Sequence, residues 1–128
     1  MKLVFVMLLA LISAGCGGYG SHSTTPPMPA ATPVIAQLVP NNANSGGPAF
    51  TLEVDGTSFS TNAVINFNGT KETTTFVSST KLTTMIPSTA ITSSGPAPVT
   101  VTNPGTARGA YGGGTSAVNS APMTFTIN

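Results

Sequence analysis

The sequence predicts an all-β domain, a two-layer antiparallel sandwich of about seven short strands, and three observations lead there. Apolar and polar residues alternate with period two in successive runs, Thr and Val dominate those runs, and Gly, Pro and Asn punctuate them. No window carries an apolar stripe at the 3.6-residue helical spacing. About seven half-apolar strands in roughly 95 residues bury their apolar faces when two sheets pack against each other.

The first predicted strand, residues 34–39, leaves a proline-rich segment and closes at Pro40, which suits a sheet edge. Residues 41–48, rich in Asn and Gly, read as a polar loop. In the second strand Phe50, Leu52 and Val54 face one way and Thr51, Glu53 and Asp55 the other, with Gly56 as the expected stop. Ile65 and Phe67 continue the inward set, and Asn68-Gly69 signals a tight turn. Residues 73–77 and 82–86 follow, the latter placing Leu82, Thr84 and Ile86 on one face before Pro87 stops it. A linker with Ile91 and Gly95 leads to Val99 and Val101, alternating with Thr100 and Thr102 until Asn103-Pro104-Gly105. Residues 106–116, with Gly109 and Gly112 to Gly114, read as a loop that exposes Arg108 and Tyr111, the candidate binding residues. Met123, Phe125 and Ile127 share a face of the last strand. The expected core is Phe50, Leu52, Phe67, Leu82, Ile86, Val99, Val101 and Phe125, and Gly56 and Gly69 are expected to serve tight turns at positive φ.

The ordered set AFTLEVDGTSF, AVINFNGT, TTFVSSTKLTTMIP, PVTVTNPG and a terminal FTI strand resembles the IPT/TIG domain family over roughly residues 33–128. The resemblance implies an immunoglobulin-like fold and a non-catalytic interaction or structural module, because such domains occur in cell-surface receptors and as accessory modules beside catalytic domains. The chain departs from the family pattern after Asn103-Pro104-Gly105, where the interval TARGAYGGG is long.

Charged residues make up 5 % of the 128-residue chain, against about 25 % in an average soluble domain. Beyond Lys2, the cations Lys71, Lys81 and Arg108 balance Glu53, Asp55 and Glu72, so no basic patch exists to neutralise phosphates and no nucleic-acid partner is expected. The hydrophobic fraction of 40 % is the reverse of a disordered composition.

Upstream of the domain, Lys2 precedes an apolar run over residues 3–12, too short to span a bilayer but suited to the core of an export signal. Ser13, Ala14 and Gly15 then lead to Cys16, the single cysteine. The arrangement resembles a bacterial lipoprotein signal, which implies residues 1–15 as a signal peptide, lipid on Cys16 and a cell-envelope location facing the periplasm or exterior. A secreted chain with a free Cys16 and an uncleaved apolar anchor are the alternatives. One cysteine excludes an intrachain disulfide and a CxxC pair, and acylation removes the liability of an exposed thiol. Residues 16–32 read as a flexible tether, Gly-rich at first and stiffened later by Pro26, Pro27 and Pro29.

Catalytic machinery is not expected. The one histidine, His22, lies in the tether without a second ligand or base nearby, and no cofactor motif occurs. Glu53 and Asp55 share the outward face of a strand, and Glu72 could join them around a calcium ion, but without a DxDxDG-like loop the expected reading is a solvated charged face and no metal site. The expected function is a non-catalytic cell-envelope lipoprotein, held at the membrane through its N-terminal lipid, that displays an interaction or structural module, with a surface protein or a glycan as the partner. The alternative is an accessory carbohydrate-binding module or a subunit of a polysaccharide-acting system, with Tyr111 as its only domain tyrosine for stacking on a glycan.

Overall fold

The computed structural model describes residues 30–106 and 114–128. Ten strands follow in order: β1 Val34–Val39, β2 Asn42–Ala43, β3 Phe50–Thr57, β4 Val64–Phe67, β5 Thr70–Lys71, β6 Thr74–Ser78, β7 Lys81–Ile86, β8 Gly95–Asn103, β9 Val118–Asn119 and β10 Met123–Ile127, with a 3-10 turn at Ser88–Ile91. Seven have four or more residues and match the seven runs of alternating sequence. The other three are two-residue pieces too short to carry a period; β2 lies inside the segment expected to be loop.

One sheet runs β1-β3-β7-β6 and the other β2-β10-β8-β4-β5, with β9 also on β8. With the seven longer strands lettered A to G, the sheets read A-B-E-D and G-F-C, the immunoglobulin-like arrangement. Every pairing is antiparallel except that of β2 with β10. The chain therefore changes sheets between β1 and β2, at the cis Val39–Pro40 peptide. It crosses between the sheets again at β2–β3, β3–β4, β5–β6 and β7–β8; at the β5–β6 crossing the Thr74 hydroxyl accepts the Ile65 N–H at 2.8 Å and donates to the Glu72 carbonyl at 3.0 Å.

The core lies between the sheets. Leu52, Val54, Ile65, Leu82, Ile86, Val99, Val101 and Phe125 are fully inaccessible, and Phe67 nearly so. Phe125 stacks on half-buried Phe50 with centroids 5.5 Å apart and meets Phe67 edge-on at 5.3 Å, so one ring locks strands of both sheets. Thr84 joins this interior because its hydroxyl donates to the Thr73 carbonyl at 2.7 Å. Ile91, brought in by the 3-10 turn, closes one end of the core at 1 % exposure.

Two glycines act differently. Asn68 and Gly69 adopt φ 49° and 84°, the left-handed pair that a two-residue hairpin turn needs between Phe67 and Thr70. Gly56 does not end its strand and does not occupy a positive-φ turn: it is buried inside β3, paired with Ile35. A Cβ there would sit 1.9 Å from the Val34 carbonyl oxygen and 2.7 Å from the Phe59 ring, so this residue is required for the close approach of β1.

Strand β8 begins at Gly95, earlier than the alternation suggests, and carries Pro96 and Pro98 within the sheet. Both prolines pair with β10 across from Thr126 and Thr124, positions that exchange no hydrogen bonds. Their nitrogens point toward the β4 side beyond Phe67, where that strand has ended, so the ladder loses no donor it needs.

Candidate functional site

Cys16, Arg108 and Tyr111 lie outside the described residues. The described flanks of the 106–116 segment come together: Thr106 and Thr115 hydroxyls are 3.1 Å apart, and each backbone N–H of the pair donates to the other's hydroxyl, at 2.9 and 3.1 Å. The base of this loop is therefore closed at the far end of β8.

That same end holds Asn103, which sequence reasoning reads only as part of a strand-breaking tripeptide. It is a buried hub. Its Nδ2 donates to the carbonyls of Ala31 and Ser58, both at 2.7 Å, and its Oδ1 accepts the Ser60 N–H at 3.0 Å. Three segments are bound by one amide at 1 % exposure: the last residues before β1, the β3–β4 loop and the end of β8. Pro33 is fully buried beside them. The signal was present in the register, because Ala97, Val99, Val101 and Asn103 share the inward parity of one strand.

The outward face of the first sheet gathers the charges. Lys81 Nζ lies 2.8 Å from a Glu53 oxygen and 3.9 Å from one of Asp55, and Gln37 donates to Asp55 at 3.3 Å. The hydrogen bond and charge of Glu53 raise the Lys81 pKa. Glu72 does not join them: it follows β5 in the other sheet, its N–H donating to Ile65, and partial desolvation raises its pKa. Among the described residues no group of three or more His, Cys, Asp or Glu can hold a metal ion. Two half-buried carboxylates bridged by one lysine form an ion cluster on the outward face of the sheet.

The outward face of the second sheet is a hydrogen-bonded ladder. Asn66 Nδ2 donates to the hydroxyls of Thr100 at 3.3 Å and Thr102 at 2.9 Å, and Thr102 donates to Asn119 at 2.6 Å. These polar groups satisfy one another.

The sheet edges are blunted. In β1 the pairing with β3 slips between Ile35 and Gln37, leaving Ala36 as an extra residue; in β6 it slips between Phe76 and Ser78, leaving Val77. Both margins of the first sheet thus carry a bulge, whereas the margins of the second are the two-residue strands β2 and β5. Between β9 and β10 the register against β8 shifts by one, and Ser120 covers the break: its N–H donates to the Val101 carbonyl at 2.8 Å and its hydroxyl accepts the Val101 N–H at 2.9 Å. Strand addition along these margins is opposed by bulges and shortness.

Comparison with known proteins gives one positive result, a family model described as IPT/TIG domain that matches residues 33–127. No curated protein and no solved structure matches the chain.

Proposed function

The chain belongs to the IPT/TIG domain family, a non-catalytic immunoglobulin-like module, and from that premise we propose that it is a cell-envelope lipoprotein whose sandwich is held at a membrane by lipid on Cys16 and offered to a partner. In this reading residues 1–15 are a removed signal, residues 16–32 the lipidated tether and residues 33–128 the displayed module. Several acyl chains, at about 0.8 kcal/mol per buried methylene, anchor firmly where one chain is marginal. The sixteen residues 17–32, at up to about 3 Å each when extended, give the domain a reach of some tens of ångströms.

The observation that carries the reading is the joint at Asn103. A passive tail needs no buried contact with the domain it precedes, yet this chain is clamped at Ala31 by an internal amide and packs Pro33 into the interior. Such a joint fixes the end of the sandwich from which the tether leaves. The sandwich is then presented with one end toward the anchor and the other away from it.

Mass spectrometry of the N-terminal peptide from membranes tests the anchor: a diacyl or triacyl Cys16 is expected, and an unmodified Cys16 in the mature chain refutes it. Crosslinking in intact cells tests the display role. A reproducible surface partner is expected, and recovery of only the chain itself and abundant membrane proteins refutes a specific one. The accessory carbohydrate-binding reading keeps a place beside this one because of a cleft at the other end of the sandwich.

A further inference from the structure

We infer that the cleft between the Asn68–Gly69 turn and the 3-10 turn Ser88–Ile91 is a binding site for a neutral saccharide. Its placement away from the membrane rests on the anchored reading above; its ligand chemistry does not.

The cleft has a volume of about 310 Å³, at the small end of the range for small-molecule sites. Its polar lining is Asn68, Thr70, Thr89, Thr92 and Ser93. Phe67, Ala90 and Ile127 supply the apolar remainder. Among the described residues no charged side chain lines it, which disfavours an anionic or cationic ligand. A wall of exposed hydroxyls and one carboxamide, with half-buried Ala90 between them, matches the chemistry of a sugar ring, whose hydroxyls need donors and acceptors.

The contrast with the second sheet's outer face gives this weight. There Asn66, Thr100, Thr102 and Asn119 spend their hydrogen-bonding capacity on one another. Around the cleft, none of the five polar side chains hydrogen-bonds another described residue, so all five remain available to a ligand. The backbone that carries them is nevertheless fixed. Asn68 N–H donates to the Pro98 carbonyl at 2.9 Å, Ala90 N–H to Pro87 at 3.0 Å, and Gly46 N–H to Ile91 at 2.8 Å. Walls that are set before binding reduce the ordering cost of association.

The site and the tether joint occupy opposite ends of β8, which runs from Gly95 beside the cleft to Asn103 at the joint. Eight intervals of about 3.4 Å separate them by roughly 27 Å. An anchored domain that meets the membrane with its Asn103 end holds this cleft toward the surroundings.

The test uses the full chain in detergent, applied to immobilised neutral oligosaccharides of glucose, mannose and N-acetylglucosamine, beside sulfated and uronic-acid oligosaccharides. The wild type is compared with the double variant Asn68→Gly/Thr92→Val. Glycine accepts the positive φ of Asn68, and valine keeps the shape of threonine without its hydroxyl. Saturable retention on a neutral class, about tenfold or more weaker in the double variant, is expected from the loss of two hydrogen-bonding groups. A Ser93→Ala variant, at an exposed position where the fold is insensitive, is expected to weaken retention by a smaller factor and guards against loss of folding in the double variant. Absence of retention on all three neutral classes, preference for the acidic ones, or equal retention by wild type and both variants overturns the inference. Reading the mass of the N-terminal peptide in the same sample separates the two proposals, since neutral-sugar retention with an unmodified Cys16 overturns the anchor alone.

Discussion

Replacing Asn103 by alanine removes three hydrogen bonds at once, those to Ala31, Ser58 and Ser60. A net hydrogen bond contributes about 1 kcal/mol, and a buried group left without a partner costs about 1–3 kcal/mol. Ala31 and Ser58 are exposed residues whose carbonyls water can reach once the amide is gone, whereas Ser60 is more enclosed and its own hydroxyl already lacks a partner among the described residues. The expected loss is therefore about 2–4 kcal/mol rather than the upper limit for three orphaned groups. Against a total stability of about 5–15 kcal/mol that is a large fraction, and at about 4–8 °C per kcal/mol it lowers the melting temperature by roughly 8–32 °C. Urea denaturation measures it as a fall in midpoint with an unchanged slope. Asn103→Asp keeps an acceptor for Ser60 but loses both donors and buries a charge, so it is expected to be no better than alanine. A loss below about 0.5 kcal/mol for the alanine variant, within the range of ordinary surface changes, refutes the clamp.

Three further outcomes follow from the same geometry. Gly56→Ala forces a methyl into the Val34 carbonyl, which cannot turn away as a side chain can, and is expected to cost about 2–4 kcal/mol in urea denaturation; a neutral effect contradicts the close approach of β1. Ser120→Ala strips the Val101 N–H of its acceptor inside the sheet, with an expected loss of about 1–2 kcal/mol and faster hydrogen exchange at Val101, and an unchanged exchange rate contradicts it. Glu72 has a raised pKa in the folded state, so folding takes up a proton in the window between its unfolded and folded values and stability falls as pH rises through that window. Glu72→Gln is accordingly expected to be slightly more stable than wild type at neutral pH, the difference vanishing in acid; a difference that grows on acidification reverses the sign.

Much of this architecture was legible because period-two alternation survives wherever a strand has one buried face. Leu52 and Val54, Leu82 and Ile86, and Val99 and Val101 were readable as inward residues, and the Asn68-Gly69 turn announced its hairpin. What escaped had physical causes. The start of β8 was hidden by Pro96 and Pro98, which argue against a central strand until it is known that β4 ends before reaching them. Gly56 looks the same whether a chain turns there or another strand presses against it, and only the neighbour Val34 decides. The 3-10 turn at Ser88–Ile91 is too short for a helical stripe, so the burial of Ile91 and the grouping of Thr89, Thr92 and Ser93 beside Asn68 carried no local signal. Asn103 differed: its inward parity was visible, but the turn residues that follow it supplied a simpler reading.

The bulges at Ala36 and Val77 have a consequence at the level of many molecules. Under the proposed lipid anchor, chains held on one surface would diffuse in two dimensions and their flanks would collide repeatedly. Straight, uncharged sheet margins in that setting would template one another into continuous ribbons. A margin that kinks out of line offers its neighbour no matching run of donors and acceptors, and the domains can crowd into a dense coat while each continues to act alone.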